Sequence, residues 1–282
     1  MSERRGANPQ PYFRPIVLDE SGAGGRFHAT EATTGPWFAD AQHLGPPSAL
    51  LVRAFERCPP SRPDAPPLQL ARYTVEILGP VPIGEVEVSV AVERPGRTIE
   101  LLAAELRAGG RAVLRARAWR LGIGDTSAVA TGAAPQIPGP EQAHDEPARP
   151  AHWLPGYLDT VDWSWVRGHW DRTGPGTAWG RLRVQVVDGE EPTALQHLAA
   201  VADSANGIGA PLDLREWLFL NTELTVHLHR APTGAWTGVD AATVIGPTGT
   251  GTVTGTLFDL DGQVGRITQE LTVRPRRPAD TP

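Results

Sequence analysis

The 282-residue sequence has no lysine, a single cysteine and no long hydrophobic run. One cysteine, Cys58, excludes a disulfide within the chain. No stretch approaches the roughly 18 consecutive apolar residues that a membrane span requires, so we expect no membrane insertion. All 26 basic residues are therefore arginine, they form no run, and the formal net charge is −6. No basic run suggests nucleic-acid binding, so we expect no nucleic-acid partner.

Signals for secretion, metals and phosphate are also missing. The N-terminal residues "MSERRGANPQPYFRP" carry charge but no apolar segment behind it, and we expect a cytoplasmic protein. His227 and His229 alternate on one strand with no third ligand at metal-binding spacing, so they are expected to face solvent or to pack along the strand ladder. The Gly-rich segment 246–255 lacks the Lys-Ser/Thr and the helix of a phosphate loop. We therefore expect no metal and no cofactor.

A segment rich in Pro, Gly and Ala divides the chain into near halves. Residues 122–155 have no apolar period, which is typical of a linker. The sequence predicts a first domain over 1–121, this linker, a second domain over 156–275 and a tail over 276–282.

The two halves resemble each other in three segments that occur in the same order. Residues 46–58 align with 191–203 at an offset of 145. The other two pairs are 73–86 with 224–237, and 113–120 with 267–274, at offsets of 151 and 154. Three matches with slowly drifting offsets indicate a duplicated domain with loop insertions.

Each half reads as one helix followed by strands. A proline lies in the first turn of each helix, and each helix is expected to run about 12 to 15 residues. Alternating apolar residues and turn signals predict the strands. The predicted strands are 24–32, 68–78, 84–93, 97–107, 111–121, 177–187, 218–229, 235–246, 250–259 and 264–274. The pattern predicts an α+β fold in which a long antiparallel sheet wraps around an apolar helix in each half.

One carboxylate lies on or beside the apolar stripe of the second helix. In "LQHLAAVADSANG", residues 195–207, Asp203 falls one helical step from Ala199. A charged group on a face that packs into the core needs a reason, and this makes Asp203 a candidate functional residue.

The chain resembles the double-hotdog acyl-CoA thioesterases of the type II kind, over residues 25–121 and 157–275. The segments that carry the resemblance are "ADSANG" (202–207), "NTELTVHLHR" (221–230) and "TQELTVR" (268–274). It implies a double hotdog, an acyl-CoA or acyl-carrier thioester as substrate, and a homodimer or higher oligomer. It also implies a catalytic Asp at 203, a Gln at 269 and a Thr or Ser at 221, where this chain has Asn221 instead.

Thioester hydrolysis can use such a trio. Asp203 would deprotonate the attacking water, and the amides of Asn221 and Gln269 would hold that water. Backbone N–H groups around Thr193 at the helix start are candidate donors to the oxyanion. Strand alternation predicts that Thr225 points inward with Asn221 and Glu223, which makes it a candidate substrate contact.

The first half offers an internal comparison. The three offsets place Cys58, Leu70 and Arg115 where Asp203, Asn221 and Gln269 stand in the second half. None of the three can replace its counterpart, so we predict one active site per chain, with the first half as a structural partner.

Alternatives remain open at this stage. Trp170 and Trp179 are candidates to line an acyl tunnel or an interface, although plain core or subunit packing is the favoured alternative. Because Asn221 stands where the family has Thr or Ser, one alternative is a protein that has lost catalysis and binds an acyl ligand or a partner protein. A hotdog hydratase or dehydratase would need a His five residues after the Asp, where this chain has Ile208.

Overall fold

The computed structural model describes residues 10–144, 154–170 and 172–277. The core of the predicted linker (145–153) and the end of the predicted tail (278–282) lie outside these ranges. In the described part of the chain no helix is long and apolar enough to cross a membrane.

Thirteen strands and three α-helices are present in these ranges. The helices are α1 (Gly45–Arg57), α2 (Ala194–Ala202) and α3 (Ala205–Ile208). The strands are β1 (Phe13–Leu18), β2 (Gly25–Ala29), β3 (Leu68–Ile77), β4 (Gly84–Arg94), β5 (Ile99–Ala108), β6 (Arg111–Gly122), β7 (Val161–His169), β8 (Arg172–Leu182), β9 (Trp217–Asn221), β10 (Glu223–Leu228), β11 (Thr237–Ile245), β12 (Thr250–Asp259) and β13 (Gly262–Pro275).

The strands form one antiparallel sheet that spans both repeats. Its order is β1-β2-β4-β5-β6-β3-β10-β13-β12-β11-β8-β7, and β9 pairs with β13 off this path. The second half of this order repeats the first half in reverse, so that β10, β13, β12, β11, β8 and β7 correspond to β3, β6, β5, β4, β2 and β1. The repeats therefore join through β3 and β10, and the duplication predicted from sequence is confirmed as a pseudo-twofold arrangement.

The pairing of β3 with β10 locates the pseudo-twofold axis. Thr74 lies opposite Thr225, and their hydroxyls are 2.9 Å apart. These residues are 151 positions apart, which is the offset of the central repeat segment. Identical positions of the two repeats thus meet at the centre of the sheet.

The helices α1 and α2 lie on the inner face of the sheet and pack against each other in antiparallel fashion. Near one end, a Cβ added at Gly45 would clash with the backbone oxygen of Ala200, so only glycine permits this approach. At the other end, Thr193 Oγ1 and Gln196 Nε2 both donate to the Glu56 carboxylate, at 2.8 Å each. The end of each helix consequently lies beside the start of the other.

Local sequence explains where the two long helices begin and end. Pro46 and Pro47 occupy the first turn of α1, where a missing N–H is tolerated, and Pro59 prevents its continuation. Thr193 caps α2 by accepting a hydrogen bond from the backbone N–H of Gln196 at 3.1 Å. The second helix stops after nine residues, short of the 12 to 15 expected, because it breaks at Asp203 and Ser204 before the short α3.

The predicted direction of the Thr225 side chain is wrong. The strand expected over 218–229 is broken at Thr222, and the break reverses the alternation that follows. Leu224 and Val226 face the core with no exposure, so Thr225 lies on the other face of the sheet.

The predicted counterpart of Gln269 in the first repeat is also wrong. Across the sheet, Thr74 lies opposite Arg117 and Thr225 lies opposite Thr268. Arg117 and Thr268 are 151 positions apart, as Thr74 and Thr225 are. The last repeat segment therefore has the same offset as the central one, 151, and not the 154 expected from sequence. Gln269 therefore corresponds to Ala118, which is buried. The residue assigned to it from sequence, Arg115, is instead an exposed side chain that pairs with Glu105.

The described part of the predicted linker packs against the second repeat. Trp179 Nε1 donates to the Pro138 carbonyl at 2.8 Å, and Gln136 Nε2 donates to the Asp259 carbonyl at 3.2 Å. Residues 134–144 therefore cover one side of the second repeat.

Candidate active site

Asp203 ends helix α2 and is buried, with only 3% of its surface exposed. It retains helical backbone angles, with φ −61° and ψ −20°. A helix C-terminus carries partial negative charge, so a carboxylate there is electrostatically unfavourable. The position is expensive for stability unless hydrogen-bond donors surround the carboxylate.

Two side-chain amides supply donors to one oxygen of this carboxylate. Asn221 Nδ2 donates to Asp203 Oδ1 at 2.8 Å from the end of β9. Gln269 Nε2 donates to the same oxygen at 3.1 Å from β13, and it lies 3.1 Å from the Asp203 backbone carbonyl as well. The structure therefore brings together the three residues that the sequence nominated as catalytic.

Gln269 has a second feature that bears on chemistry. Its side chain is fully buried, and its Oε1 has no hydrogen-bond partner within the described ranges. A buried acceptor that lacks a partner is costly, and such atoms often mark functional sites. Gln269 can thus fix Asp203 through its N–H and still accept a hydrogen bond.

The other carboxylate oxygen faces a histidine from the first repeat. His43 Nδ1 lies 3.0 Å from Asp203 Oδ2, and the two side chains are 9% and 4% exposed. The backbone N–H of Gly45 also points at this nitrogen, at 3.1 Å. His43 lies just ahead of α1, and the antiparallel packing of the helices delivers it to the end of α2.

Tyr157 holds the imidazole in place. The two rings stack with centroids 4.0 Å apart and an interplanar angle of 16°. The Tyr157 hydroxyl donates to the Ala200 carbonyl at 2.8 Å and lies 3.0 Å from Ser204 Oγ. Burial raises the pKa of the Tyr157 hydroxyl well above its usual range, so this group stays neutral and keeps its proton.

A pocket opens beside this cluster, between the two repeats. Trp37, Trp170 and Leu214 contribute apolar walls, and His43, Asn206 and Arg276 contribute polar groups. Arg276 lies over the Trp37 ring, with its guanidinium carbon 5.6 Å from the ring centroid. His43 lines this pocket, whereas Asp203, Asn221 and Gln269 are not among its lining residues.

Two residues that the sequence predicted for the site, Thr193 and Thr225, lie away from the Asp203 cluster. Thr193 caps the start of α2, at the opposite end of this helix from Asp203, and contacts Glu56. Thr225 bonds to Thr74 and Glu223 on the outer side of the central strands. The structure therefore brings neither of them to the Asp203 cluster.

The two tryptophans separate as well. Trp170 lines the pocket and packs edge-on against Trp163 and Trp165, with ring centroids 5.3 and 4.7 Å away. Trp179 is fully buried, and its indole N–H donates to Pro138. Trp170 thus remains a candidate substrate contact, and Trp179 packs in the core.

The structure also addresses the histidines and the metal sites considered from sequence. Over residues 10–144, 154–170 and 172–277 no group of three or more His, Cys, Asp or Glu side chains is placed to hold a metal ion. His227 and His229 are exposed on β10 and just after it, which is one of the two expected outcomes.

His43 and Tyr157 were missed by the sequence analysis. Neither follows an apolar period or a motif, because each lies in a connecting segment that the fold brings against α2. A histidine immediately ahead of a helix was the one local signal, and it gained meaning only from the antiparallel packing of α1 and α2.

Comparisons with known proteins agree with this architecture. Residues 33–121 match the family of acyl-CoA thioesterase N-terminal domains, and residues 140–273 match that of acyl-CoA thioesterase C-terminal domains. No curated protein matches the chain significantly.

Solved structures share the fold over nearly the whole chain. A conserved protein of unknown function with a hot dog fold from Alicyclobacillus acidocaldarius is 17% identical, with a TM-score of 0.68, and the alignment covers 90% of this chain and 94% of that one. The acyl-CoA thioesterase II TesB2 of Mycobacterium marinum is 15% identical, with a TM-score of 0.63 and coverage of 89% and 93%. The tesB protein of Mycobacterium avium subs paratuberculosis is 16% identical, with a TM-score of 0.64 and coverage of 92% and 96%. The chain is thus a double hotdog that belongs to the acyl-CoA thioesterase family.

Proposed function

We propose that the protein hydrolyses acyl thioesters by activating a water molecule at the cluster around Asp203. The observation that carries this proposal is a buried carboxylate at the unfavourable end of a helix, held by Asn221, Gln269 and His43 beside a pocket. Three side chains from both repeats converge on one charge. Such an arrangement opposes stability locally, and it is the kind of site that enzymes retain for chemistry.

The cluster contains the groups that hydrolysis of a thioester needs. A proton acceptor must take a proton from water as its oxygen attacks the carbonyl carbon. The Asp203–His43 pair provides that acceptor, and the amides of Asn221 and Gln269 keep Asp203 in a fixed geometry. Asn206 lines the pocket, and its side-chain amide is a candidate donor to the oxyanion that develops on the thioester carbonyl.

The pocket supports an acyl thioester of CoA or of a carrier protein as the substrate. Its apolar walls suit an acyl chain, and Arg276 places a positive charge there that suits the phosphate of a phosphopantetheine arm. We further propose that the protein acts in the cytoplasm in lipid metabolism and forms a homodimer or a higher oligomer.

Thiol release from a panel of acyl-CoA and acyl-N-acetylcysteamine thioesters tests this function. We expect activity in the wild type and a fall in kcat of at least about 100-fold in Asp203→Asn, which is the contribution of general acid–base catalysis. Asp125→Asn, at an exposed carboxylate of the linker, is the matched control and should keep full activity. A wild-type protein that releases no thiol from any CoA or carrier thioester would refute the proposal and favour the lapsed, ligand-binding alternative.

A second candidate function gains support from His43. The sequence argued against a hydratase or dehydratase because Ile208 stands where a histidine was needed, but the first repeat delivers a histidine to within 3.0 Å of Asp203. An acid–base pair of this kind can also move protons across an enoyl or 3-hydroxyacyl thioester. Incubation with crotonyl-CoA separates the two functions, because hydration consumes the double bond without releasing thiol.

A further inference from the structure

Access to the pocket distinguishes His43 from the other members of the cluster. His43 lines the pocket, whereas Asp203 is absent from its lining and its side chain is only 4% exposed. A thioester in the pocket would therefore meet the imidazole before it meets the carboxylate.

The contacts of Nδ1 define which nitrogen of His43 can carry a proton. Asp203 Oδ2 is an acceptor 3.0 Å away, and the backbone N–H of Gly45 is a donor 3.1 Å away. A neutral imidazole with its lone pair on Nδ1 would turn that lone pair toward the carboxylate, which is repulsive. With the proton on Nδ1, the contact with Asp203 becomes a charge-assisted hydrogen bond. The gain from this bond exceeds the loss of the neutral hydrogen bond that the Gly45 N–H donates to Nδ1.

Asp203 is poorly placed to act on water directly. Its Oδ1 accepts from both Asn221 and Gln269, and its Oδ2 faces His43. The same contacts make it well suited to hold the Nδ1–H tautomer, which leaves a lone pair on Nε2. Stacking on Tyr157 fixes the plane of the ring and hence the direction of that lone pair.

From these contacts we infer that His43, a residue of the first repeat, is the catalytic base and that Asp203 orients it. This inference rests on the proposed thioester hydrolysis. It moves the proton acceptor from the carboxylate, where the sequence placed it, to the imidazole. The first repeat then supplies a catalytic residue, and the active site belongs to both repeats.

The reaction balances with these groups alone. The water oxygen bonds to the carbonyl carbon while one water proton passes to His43 Nε2, and the carbonyl π electrons move onto oxygen. When the tetrahedral oxyanion collapses, the carbon–sulfur bond breaks, and the proton on Nε2 passes to the leaving thiolate. The products are the carboxylic acid and the free thiol, and His43 returns to its neutral state.

Two substitutions at His43 separate a base from a positioning residue. In His43→Asn, the amide nitrogen occupies the place of Nδ1 and keeps a donor toward Asp203, but no group replaces Nε2 as a base. We expect kcat to fall at least about 100-fold in this variant, with little change in KM. His43→Gln, whose amide lies near the position of Nε2, should be equally inactive because an amide is not a base.

Chemical rescue adds a readout that a structural role would not change. In His43→Ala, the space left by the ring lies against Tyr157, and we expect added imidazole to restore part of the lost activity. Thermal unfolding of all three variants confirms that they are folded under assay conditions.

The outcomes distinguish the inference from the function on which it rests. An active wild type together with a His43→Asn variant that keeps kcat within about tenfold would overturn the role of His43 and leave thioester hydrolysis intact. Activity of His43→Ala that does not respond to imidazole would also count against His43 as the base. A wild type that is inactive on every thioester would instead refute the proposed function.

Discussion

The C-terminal ends of α1 and α2 occupy equivalent places in the two repeats but carry opposite charges. At the end of α1, Arg120 donates to the backbone carbonyls of Cys58 and Pro59, at 2.7 and 3.2 Å. Cys58 is the C-cap of α1 and Pro59 follows it, and a cation beside the C-terminus of a helix is the favourable arrangement. At the end of α2, the side chain is the carboxylate of Asp203, which the helix dipole opposes.

The contrast separates an end of the helix pair that supports stability from the end where we propose the chemistry. Arg120 is neutralised by the fully buried Glu100, which also accepts from the backbone N–H of Ser61 at 2.8 Å. Both of these charges have a partner. At the Asp203 end, the donors come from other elements, and the histidine among them lines a pocket. The duplicated helices thus have one end that stabilises the fold and one end that carries the proposed site.

Removal of Arg120 should have the largest effect on stability. Arg120→Leu leaves the buried Glu100 charge without its cation, and breaking a buried ion pair from one side costs about 3–5 kcal/mol. We expect the free energy of unfolding, measured by urea denaturation, to fall by that amount. The kcat of the remaining folded protein should be unchanged, because no residue of the proposed site lies at this end.

A double variant controls for the packing of the two side chains. Arg120→Leu combined with Glu100→Leu removes both charges and should be less destabilising than Arg120→Leu alone. If Arg120→Leu lowered kcat while leaving the free energy of unfolding unchanged, the assignment of this end to stability would be wrong.

A second prediction concerns the pH dependence of stability, through a histidine on α2 between the two ends. Burial, with a smaller contribution from Arg181, lowers the pKa of His197 to about 4. Its Nδ1 is buried, without a hydrogen-bond partner among the residues that the structure describes. The folded state therefore binds this proton less readily than the unfolded state, whose histidine has a pKa of about 6.5.

The sign of the effect follows from this depressed pKa. The contribution of the neutral, buried His197 to the free energy of unfolding is fully present above about pH 6.5 and is lost as the pH falls through about 4. It amounts to at most about 3 kcal/mol. His197→Leu should flatten the stability profile over this range, whereas His229→Leu, at an exposed histidine, should leave the profile unchanged. Equal profiles for wild type and His197→Leu would contradict the prediction. The comparison also shows whether a loss of activity at low pH comes from unfolding of the protein or from the titration of a catalytic group.

How far the sequence predicted the molecule depends on the range of the interaction. Alternation and turn signals predicted β12 at its observed bounds, because strand periodicity is local. The repeat predicted the counterparts of Asp203 and Asn221 as Cys58 and Leu70. For the second pair the strand pairing bears this out, because Asn221 lies opposite Leu271 as Leu70 lies opposite Arg120.

The failures lie where contacts between distant segments decide. The break at Thr222, where the backbone N–H bonds to the Glu270 carbonyl at 2.8 Å, left no mark in the alternation of apolar residues. His43 reaches Asp203, far along the chain, through the packing of α1 on α2, and no spacing in the sequence encodes that approach.

The last prediction makes the catalytic end resemble the structural end at one position. Asn221→Leu introduces the residue that the first repeat has at Leu70 and removes one of the two amide donors to Asp203 Oδ1. A hydrogen bond to a charged group contributes about 1.5–3 kcal/mol, so we expect kcat in the thiol-release assay to fall about 10- to 100-fold. Asn221→Thr restores a hydroxyl donor at this position and should lose less activity than Asn221→Leu. The reciprocal Leu70→Asn should leave kcat unchanged while lowering the melting temperature, because it buries an amide in the core of the first repeat. Unchanged kcat in Asn221→Leu would show that Gln269 and His43 suffice to hold Asp203. Two differences between the repeats would then remain: Asp203 stands where the first repeat has Cys58, and the first repeat supplies the histidine.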